Sequence, residues 1–371
     1  MRPELAQFAD EMRALTPPAA VMLDAHTHLG TDEDGHKLDL AGLLRQLDQV
    51  DVRQACVFPL HDPDRAPAYR VPNDRVLTWA GESQGRLIPF CRLDPADGPV
   101  AEAERCLARG ARGIKLHPRA QAFGFGGAVI DGIFAAAEDA GVPIMIHAGR
   151  GLGRVAEELC DVALRYPGAP LILAHGGIAD QGTFATRLAG HPAAFFDTSV
   201  FGPLDLLELF ARVPIERIVY GSDPPYGRPL LALSATLRCA AAAGLTDAEL
   251  RAVLGGNMRS VLARDAPATP TAPRRPRTLT MDGSLIRLYT LCAMAFTGVV
   301  QNRAVAARES LELALGVCRD PDPGRAEAAL NRIRPVLEMV IAALETPGDR
   351  VPADALYLAM TVAATEPAAA S

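Results

Sequence analysis

The sequence predicts a (β/α)8 barrel with a C-terminal all-α helical extension, and three observations support this fold. From residue 21 to residue 264, eight short apolar runs rich in β-branched residues alternate with stretches whose apolar residues recur every three or four positions, the pattern of alternating strands and helices. Eight such units over about 240 residues match the size of a (β/α)8 barrel. Residues of the metal-ligand type follow predicted strands one, five, six and eight. A closed ring brings those strand ends together, whereas an open doubly wound sheet, the alternative, would gather ligands at one switch point.

The predicted elements begin with a short amphipathic helix, Pro3–Leu15, which ends before Pro17. Eight strands are predicted from the apolar runs, at residues 21–23, 55–60, 87–93, 113–116, 143–147, 171–174, 194–198 and 218–221. The stretches between them with helical periodicity are residues 40–47, 100–109, 132–140, 155–166, 204–211 and 230–243.

The remainder of the chain is predicted to be a linker and a small helical domain. Residues 265–280 are rich in Pro and Arg, and prolines at this density break both helices and strands, which predicts an extended linker. The domains are therefore predicted as 1–20 for the N-terminal helix, 21–264 for the barrel, 265–280 for the linker and 281–371 for the helical domain. The last domain contains no histidine, so it is not expected to supply a metal site. Capping of the barrel, oligomer contacts and binding of a partner are its three alternative roles. Its helices are predicted at residues 282–302, 304–318, 324–344 and 352–364.

Composition excludes several classes of protein. The net charge of −7 argues against binding nucleic acid or a membrane surface, which require a basic face. The seven cysteines are scattered and form no Cys-x-x-Cys pair, which predicts buried free thiols in a reducing compartment. The N-terminus has no signal-peptide core, and the apolar run at residues 288–300 is expected to be too short to cross a bilayer. The predicted location is cytoplasmic.

Four histidines and one aspartate are candidates for a metal site. His26 and His28 are separated by one residue, so on a strand both side chains project from the same face. His147, His175 and Asp223 each end another predicted strand directly before Gly- or Pro-rich residues. Any one of these histidines alone would be an ordinary hydrogen-bonded residue, but four of the eight histidines at strand ends indicate a metal site.

These motifs identify a family resemblance. The chain resembles the amidohydrolase superfamily of metal-dependent barrel enzymes. The residues that carry the resemblance are Asp24-Ala25-His26-Thr27-His28, His147, His175 and Gly221-Ser222-Asp223. The resemblance is narrower to the amidohydrolase-2 branch, which includes aminocarboxymuconate-semialdehyde decarboxylase, and it covers residues 21 to 263. It implies that His26, His28, His147 and Asp223 bind a divalent metal, most often zinc, and that His175 is catalytic or binds a second metal.

The chemistry of such a site follows from its ligands. A divalent cation held by imidazoles and a carboxylate lowers the pKa of a bound water toward about 7. Asp223 would then act as the general base, and His175 would orient the water or hydrogen-bond the oxygen that becomes negative.

Lys115 complicates the site. In two-metal members of the superfamily, the corresponding lysine is carboxylated and bridges both metals, and a bare ammonium would be repelled by a cation. Pairing with an acidic side chain is the ordinary alternative. One metal per chain is favoured over two, because the amidohydrolase-2 branch mostly binds one. His117 shares the strand face of Lys115, so it is predicted either to line the pocket or to hydrogen-bond the loop before Pro118.

Three arginines are candidates for substrate binding. Arg92 ends the third predicted strand, Arg119 follows the fourth and Arg150 follows His147. An arginine at the barrel mouth can bind a substrate carboxylate with two parallel hydrogen bonds. Asp197, at the end of the seventh strand, is predicted to orient a liganding histidine.

The predicted function is a metal-dependent hydrolase whose activated water attacks a C–O or C–N bond of a small organic molecule, with a carboxylated substrate as one option. A decarboxylase acting on a carboxylated small molecule would use the same ligands and is the first alternative. A non-catalytic barrel scaffold, with the helical domain as its interaction module, is the second. A homo-oligomer is expected.

Overall fold

The computed structural model describes residues 3–149, 154–199, 202–274, 282–320, 323–344 and 351–366. Ten strands form a four-stranded sheet, in the order β2-β1-β3-β4, and a six-stranded sheet, in the order β10-β9-β8-β7-β6-β5. The strands are β1 (Leu23–Thr31), β2 (Lys37–Leu38), β3 (Gln54–Pro59), β4 (Leu87–Pro89), β5 (Cys91–Arg92), β6 (Ile114–Leu116), β7 (Ile144–Ile146), β8 (Leu171–Leu173), β9 (Ala194–Asp197) and β10 (Ile218–Val219).

The two sheets join into one closed barrel. At one seam β4 and β5 continue each other through Phe90, whose amide donates to the carbonyl of Val57 at 2.8 Å. At the other seam the amide of Ala25 donates to Tyr220 at 2.8 Å, and the amide of Asp223 donates to His26 at 2.7 Å. β2 pairs with β1 in an antiparallel hairpin outside the ring. The ring thus contains eight parallel strands, and the predicted fold is confirmed.

The helices surround the barrel and form the C-terminal segment. Each predicted helix is present with small shifts at its ends. The helices are α1 (Pro3–Leu15), α2 (Leu40–Asp48), α3 (Arg70–Glu82), α4 (Pro99–Ala108), α5 (Pro118–Gln121), α6 (Ala128–Ala140), α7 (Arg154–Arg165), α8 (Gln181–Arg187), α9 (Pro203–Arg212), α10 (Pro229–Ala242), α11 (Asp247–Arg251), α12 (Asn257–Ala263), α13 (Gly283–Val300), α14 (Ala304–Cys318), α15 (Glu327–Ala343) and α16 (Val351–Thr365).

The first barrel strand is longer than its apolar run. The sequence predicts a strand at residues 21–23, but β1 extends from Leu23 to Thr31 because its polar residues are also buried. The register of β1 against β3 shifts between Asp24 and Thr27, and such a bulge re-aims side chains. Ala25 packs with Phe58 inside the barrel, and the ring of His26 lies 5.3 Å from the Phe58 ring, so adjacent residues both face the interior.

The C-terminal helices have a hydrophobic core of their own, which includes Phe8 from α1. This segment packs against the outer helices of the barrel, with α16 beside α9 and α10. Arg238 on α10 connects the two parts: its Nε donates to Thr365 Oγ1 at 2.8 Å, and its other nitrogens pair with Glu11 and Glu366. The predicted linker is described only up to residue 274, and residues 265–274 form neither helix nor strand.

Two expectations from composition meet different outcomes. All seven cysteines are free and buried, as predicted. The expected inability of the tail to span a bilayer was wrong on length and composition, because α13 has 18 residues with a mean hydropathy of 1.5, which is long and apolar enough to cross a membrane by these two criteria. Within the described residues it is the single helix that meets them, and 28% of its residues are buried. Four of the buried residues, Leu285, Leu288, Cys292 and Ala295, recur every three or four positions, so one face of α13 packs in the C-terminal core.

Candidate metal centre

The imidazoles of His26 and His28 converge on one carboxylate inside the barrel. The Nε2 atom of His26 lies 3.1 Å from Asp223 Oδ1, and the Nε2 atom of His28 lies 3.2 Å from the same oxygen. The side chains of His26 and Asp223 are 1% and 15% exposed. Burial lowers the pKa of His28 to about 3, so His28 is neutral and its lone pair is available.

Asp223 follows β10 in the left-handed backbone region, with φ of 59°. Non-glycine residues rarely adopt this region, and they do so most often at functional sites. Its backbone amide donates to the carbonyl of His26, which fixes the carboxylate opposite the two imidazoles. Burial alone would raise the pKa of Asp223, but the neighbouring imidazoles of His26 and His28 outweigh burial and hold that pKa well below its ordinary value.

The imidazoles of His26 and His28 are each oriented by an acceptor at Nδ1. Asp197 Oδ2 lies 2.7 Å from His26 Nδ1, and the carbonyl of Pro59 lies 3.4 Å from His28 Nδ1. Because these oxygens can only accept, Nδ1 carries the proton and Nε2 presents its lone pair to a cation. The structure thus gives Asp197 the contact that was predicted for it.

Asp197 also organises the neighbouring chain. Its Oδ1 accepts from the backbone amide of His175 at 2.7 Å, from the amide of Ser199 at 3.0 Å and from the Ser199 hydroxyl at 2.6 Å. His26, His175 and Asp197 also lie close enough to form a metal-ligating group. We assign Asp197 to orientation instead, because the 2.7 Å contact with His26 Nδ1 is a hydrogen bond.

His147 and His175 contact each other beside the first three residues. His175 Nε2 lies 3.1 Å from His147 Nδ1, and His175 Nδ1 lies 2.6 Å from the carbonyl of Ser199. Because the carbonyl of Ser199 can only accept, the proton of His175 is on Nδ1, and His175 Nε2 accepts a hydrogen bond from His147 Nδ1. The proton of His147 is therefore on Nδ1, and its Nε2 lone pair is available for a cation. His147 is not within the compact group formed by His26, His28 and Asp223.

His117 stacks on His147, with ring centroids 3.7 Å apart. Its own Nδ1 accepts from the amide of Ala120 at the start of α5. Burial and the neighbouring imidazole lower the pKa of His117. His117 therefore supports the face of His147 as a neutral ring.

Lys115 is fully buried in the barrel interior. Its Nζ lies 3.4 Å from His26 Nε2 and 4.6 Å from the centre of the Phe58 ring. Among the described residues no carboxylate lies within ion-pair distance of it, so the ordinary alternative of an acidic partner is not observed. Burial lowers the pKa of Lys115 to about 7, which makes the neutral amine accessible near neutral pH.

Arg92 is the predicted arginine that reaches the centre. It is 2% exposed, and its contacts are the Pro59 carbonyl at 3.3 Å, His61 Nδ1 at 3.5 Å and the Tyr69 ring at 5.2 Å. Its Nε has no hydrogen-bond partner, and within the described ranges no carboxylate pairs with it. A buried guanidinium without an anion is costly, so this position favours an anionic ligand.

The other two predicted arginines do not join this cluster. Arg119 is exposed on α5, where it makes no hydrogen bond or ion pair with the residues that the structure describes. Arg150 lies outside the described residues. His191 is buried away from this cluster, with its Nε2 3.2 Å from the carbonyl of Ala163.

Several site residues were not assigned a role from the sequence. Asp24 Oδ1 accepts from the amides of His26 at 3.0 Å and Ser222 at 3.1 Å, and its Oδ2 accepts from the Ser222 hydroxyl. Asp24 therefore connects the strand that carries His26 to the segment before Asp223. Burial raises its pKa to about 7. The Tyr226 ring packs edge-on against His28 at 5.7 Å. The sequence contained an indication of the role of Asp24, because it precedes His26 by two residues on the same buried strand.

The donor set fits a divalent cation. Ligands about 2.1 Å from one tetrahedral ion lie roughly 3.4 Å apart, close to the 3.1 and 3.2 Å separations at Asp223. Two lone pairs and a carboxylate oxygen face each other in a buried space, where unneutralised acceptors would repel one another. His26, His28 and Asp223 would hold the ion, with His147 next to them.

A closed barrel with buried imidazoles and a carboxylate gathered at its strand ends defines a metal-dependent barrel enzyme. The sequence model of the amidohydrolase family matches residues 23–264. The chain therefore belongs to the amidohydrolase family, and it is a metal-dependent enzyme. The alternative of a non-catalytic scaffold does not fit this assignment.

Solved structures share the fold. A probable 2-pyrone-4,6-dicarboxylic acid hydrolase from Acinetobacter baumannii, solved with citric acid bound, is 13% identical with a TM-score of 0.52, covering 65% of this chain and 99% of that chain. 4-Oxalomesaconate hydratase from Rhodopseudomonas palustris is 17% identical with a TM-score of 0.52, covering 66% and 96%. 5-Carboxyvanillate decarboxylase from Novosphingobium aromaticivorans, complexed with manganese, is 14% identical with a TM-score of 0.51, covering 66% and 96%. No match was found among curated proteins.

Proposed function

We propose that this enzyme is a hydrolase in which His26, His28, His147 and Asp223 bind a divalent metal, so that an activated water attacks a C–O or C–N bond of a small organic acid. The observation that carries the proposal is the convergence of two imidazole Nε2 atoms on Asp223 Oδ1, at 3.1 and 3.2 Å, in the barrel interior.

The residues around Asp223 Oδ1 have different proposed roles in the reaction. A bound divalent cation supplies a Lewis acid and makes water acidic near neutral pH. Asp223 accepts the proton of the attacking water, because its carboxylate is the basic group that faces the reacting space. His175 carries its proton on Nδ1, toward Ser199, and its Nε2 accepts from His147 Nδ1. In this arrangement it positions the ring of His147, and orienting the water would require His175 Nε2 to exchange that hydrogen bond for one from the water.

The substrate is proposed to carry a carboxylate that Arg92 binds. Arg92 is 2% exposed and lacks a carboxylate partner among the described residues, and a guanidinium matches a carboxylate with paired hydrogen bonds. The names of two structural neighbours, a dicarboxylic acid hydrolase and a carboxyvanillate decarboxylase, support this class. Arg119 and Arg150 remain proposals for the outer part of the same pocket.

Decarboxylation is the second candidate. The carboxylate that Arg92 is proposed to bind in a hydrolase substrate is also the group that a decarboxylase would release. Lys115, whose Nζ lies 3.4 Å from His26 Nε2, is close enough to this cluster to deliver a proton to the carbon that loses carbon dioxide.

We propose one metal per chain, with zinc as the first choice, a cytoplasmic location and a homo-oligomer. The position of Lys115 beside His26 supports one metal, because an amine at that nitrogen occupies the space that a second cation would need. The buried free cysteines support a reducing compartment. A carboxylated Lys115 would instead bind two metals.

The test is turnover of a substrate panel by the metal-loaded enzyme. Lactones, esters and amides of small organic acids measure hydrolysis, and hydroxybenzoates with carbon dioxide detection measure decarboxylation. Asp223→Asn should abolish turnover while the circular dichroism spectrum is retained, and Asp139→Asn, an exposed aspartate on α6, should be unchanged. Near-normal turnover in Asp223→Asn would overturn the assignment of the base. Carbon dioxide release without any hydrolysis would select the second candidate.

A further inference from the structure

The exposed apolar side chains of this protein are concentrated on one helical hairpin, α13 and α14. Five of the eleven large apolar or aromatic side chains that are exposed within the described ranges lie on these two helices, and the four most exposed are among them. The five are Val305 at 75%, Leu313 at 62%, Val300 at 60%, Met294 at 56% and Ile286 at 48%. Single exposed apolar residues are ordinary on a globular protein, whereas a concentration of this kind marks a contact surface.

The outer face of α13 is almost free of charge, because Arg287 is the one charged residue in this helix. The hydroxyl groups of Thr290 and Thr297 donate to carbonyls of the same helix four residues earlier, each at 2.9 Å. Their polar atoms are therefore satisfied inside the helix, and burying this face leaves no hydroxyl unpaired. Exposed positions recur every three or four residues and so share one face: Ile286, Thr290, Met294, Thr297 and Val300.

The neighbouring helices of the C-terminal segment do not share this character. The exposed positions of α15 include Glu327, Asn331, Arg334 and Glu338, as expected for a helix face in water. α16 exposes none of its described residues, because it lies against α13, α15 and the barrel helices. The apolar outer face is therefore specific to the hairpin of α13 and α14.

The unpaired charges of the hairpin balance. Two arginines, Arg287 and Arg303, and two glutamates, Glu309 and Glu312, are exposed and form no ion pair with another described residue. The whole chain has a net charge of −7, so two copies repel each other over most of their surface, but not through this hairpin. A membrane surface would instead be bound through a cluster of lysines and arginines, which the hairpin lacks.

The hairpin is large enough for a stable interface. Its helices pack closely, since a Cβ at Gly298 would lie 3.0 Å from the Ala307 Cβ. α13 has 18 residues, so two such helices side by side present a strip roughly 27 Å long and roughly 20 Å wide, with a projected area of roughly 500 Å2. The accessible surface of the side chains exceeds this projection, and a stable dimer buries about 600–1,000 Å2 per partner. A second copy of the same face supplies an area of this size.

We propose that two copies of this chain associate through the hairpin of α13 and α14, with the apolar faces against each other. The face fits a second copy because it is apolar, of sufficient area and without net charge on a chain that is otherwise negative. The inference rests on the homo-oligomer of the proposed function and names its contact face, and it does not depend on which reaction the metal centre catalyses.

The mass of the full-length protein in solution, measured by light scattering and sedimentation equilibrium, tests this interface. The unmodified chain should have at least twice the 39.3 kDa of a single chain. Met294→Lys and Leu313→Lys should each raise the dissociation constant ~tenfold or more, because the interface would bury an unpaired ammonium. Leu164→Lys, which changes an exposed leucine on α7, is the matched control and should keep the mass of the unmodified chain. All three variants should retain the circular dichroism spectrum, because substitutions at exposed positions have little effect on folding.

The interface would be refuted by a single-chain mass for the unmodified protein, or by a dimer that both Met294→Lys and Leu313→Lys retain. A single-chain protein that binds vesicles of phosphatidylcholine and phosphatidylglycerol, and loses this binding in Met294→Lys, would make a lipid surface the occupant of the face and would also refute it. Asp223→Asn should keep the dimer mass. Loss of turnover in that variant and loss of association in the hairpin variants therefore test the metal centre and the interface separately.

Discussion

The replacement Asp197→Asn tests how the metal centre is oriented. Asp197 is fully buried, with Oδ1 accepting three hydrogen bonds and Oδ2 2.7 Å from His26 Nδ1. An asparagine must keep its oxygen toward the three donors, so its NH2 group replaces Oδ2. Two N–H groups would then face each other, and His26 must move its proton from Nδ1 to Nε2.

That proton would occupy the position of the cation. His26 Nε2 lies 3.1 Å from Asp223 Oδ1, so a proton on Nε2 hydrogen-bonds to the carboxylate and removes a ligand lone pair. To bind a metal, His26 would have to return its proton to Nδ1. The buried amide at position 197 would then lack a hydrogen-bond acceptor, which costs about 1–3 kcal/mol. We expect metal affinity to fall about 10- to 100-fold, the usual effect of losing such an orienting group.

The assay is competition for zinc, and separately for manganese, against a fluorescent chelator at fixed pH. Nitrogen-15 NMR of labelled histidine would report the tautomer, with the proton of His26 on Nε2 in the variant. Asp139→Asn serves again as the control. If the Asp197→Asn protein is folded and binds both metals as tightly as the unmodified chain, the assignment of the orienting hydrogen bond is refuted.

Packing makes further predictions that denaturant unfolding can measure. Gly113→Ala should lower the free energy of unfolding by roughly 1–3 kcal/mol, because the new Cβ would lie 2.4 Å from the Phe90 ring. Gly81→Ala in α3, where nothing lies within 4 Å, should instead stabilise by up to ~1 kcal/mol; equal effects at both glycines would contradict this argument. Arg238→Met should destabilise by about 1–3 kcal/mol, because it removes the hydrogen bond to Thr365 and the ion pairs with Glu11 and Glu366 at the junction with the C-terminal helices, although Glu11 keeps its pair with Arg332. An unchanged midpoint would show that this junction contributes little.

The sequence predicted the elements whose apolar residues follow a simple period. It missed α3 because the buried face of that helix contains a polar residue: Asn73 is 1% exposed and donates to the Arg92 carbonyl and to Glu102 at 3.0 and 2.8 Å. It shortened β1 for the same reason, since a strand that carries His26 does not read as an apolar run. Polar residues that are buried for function, or because they hydrogen-bond neighbouring elements, interrupt the apolar periodicity from which helices and strands are predicted.

The candidate site was predictable in its members but not in its contacts. Strand-end positions indicated that the histidines would gather, and the structure brings His26, His28 and Asp223 together. The same reasoning could not show that His147 pairs with His175, because side-chain rotation has no sequence signal. Nor could it distinguish Arg92, which is buried without an anion, from Arg119, which is exposed.

The bridge made by Asp24 links the metal to the assembly of the chain. Asp24 and Ser222 are separated by 198 positions, and they join the first and last strands of the ring. A cation that binds His26 and Asp223 binds only after that seam has formed. Binding of the cation therefore adds to the stability of the closed barrel. The melting temperature should rise with the ratio of free metal concentration to Kd, and a chelator should remove that increase. Under the proposed assignment, the ion would stabilise the closed barrel in addition to taking part in the reaction.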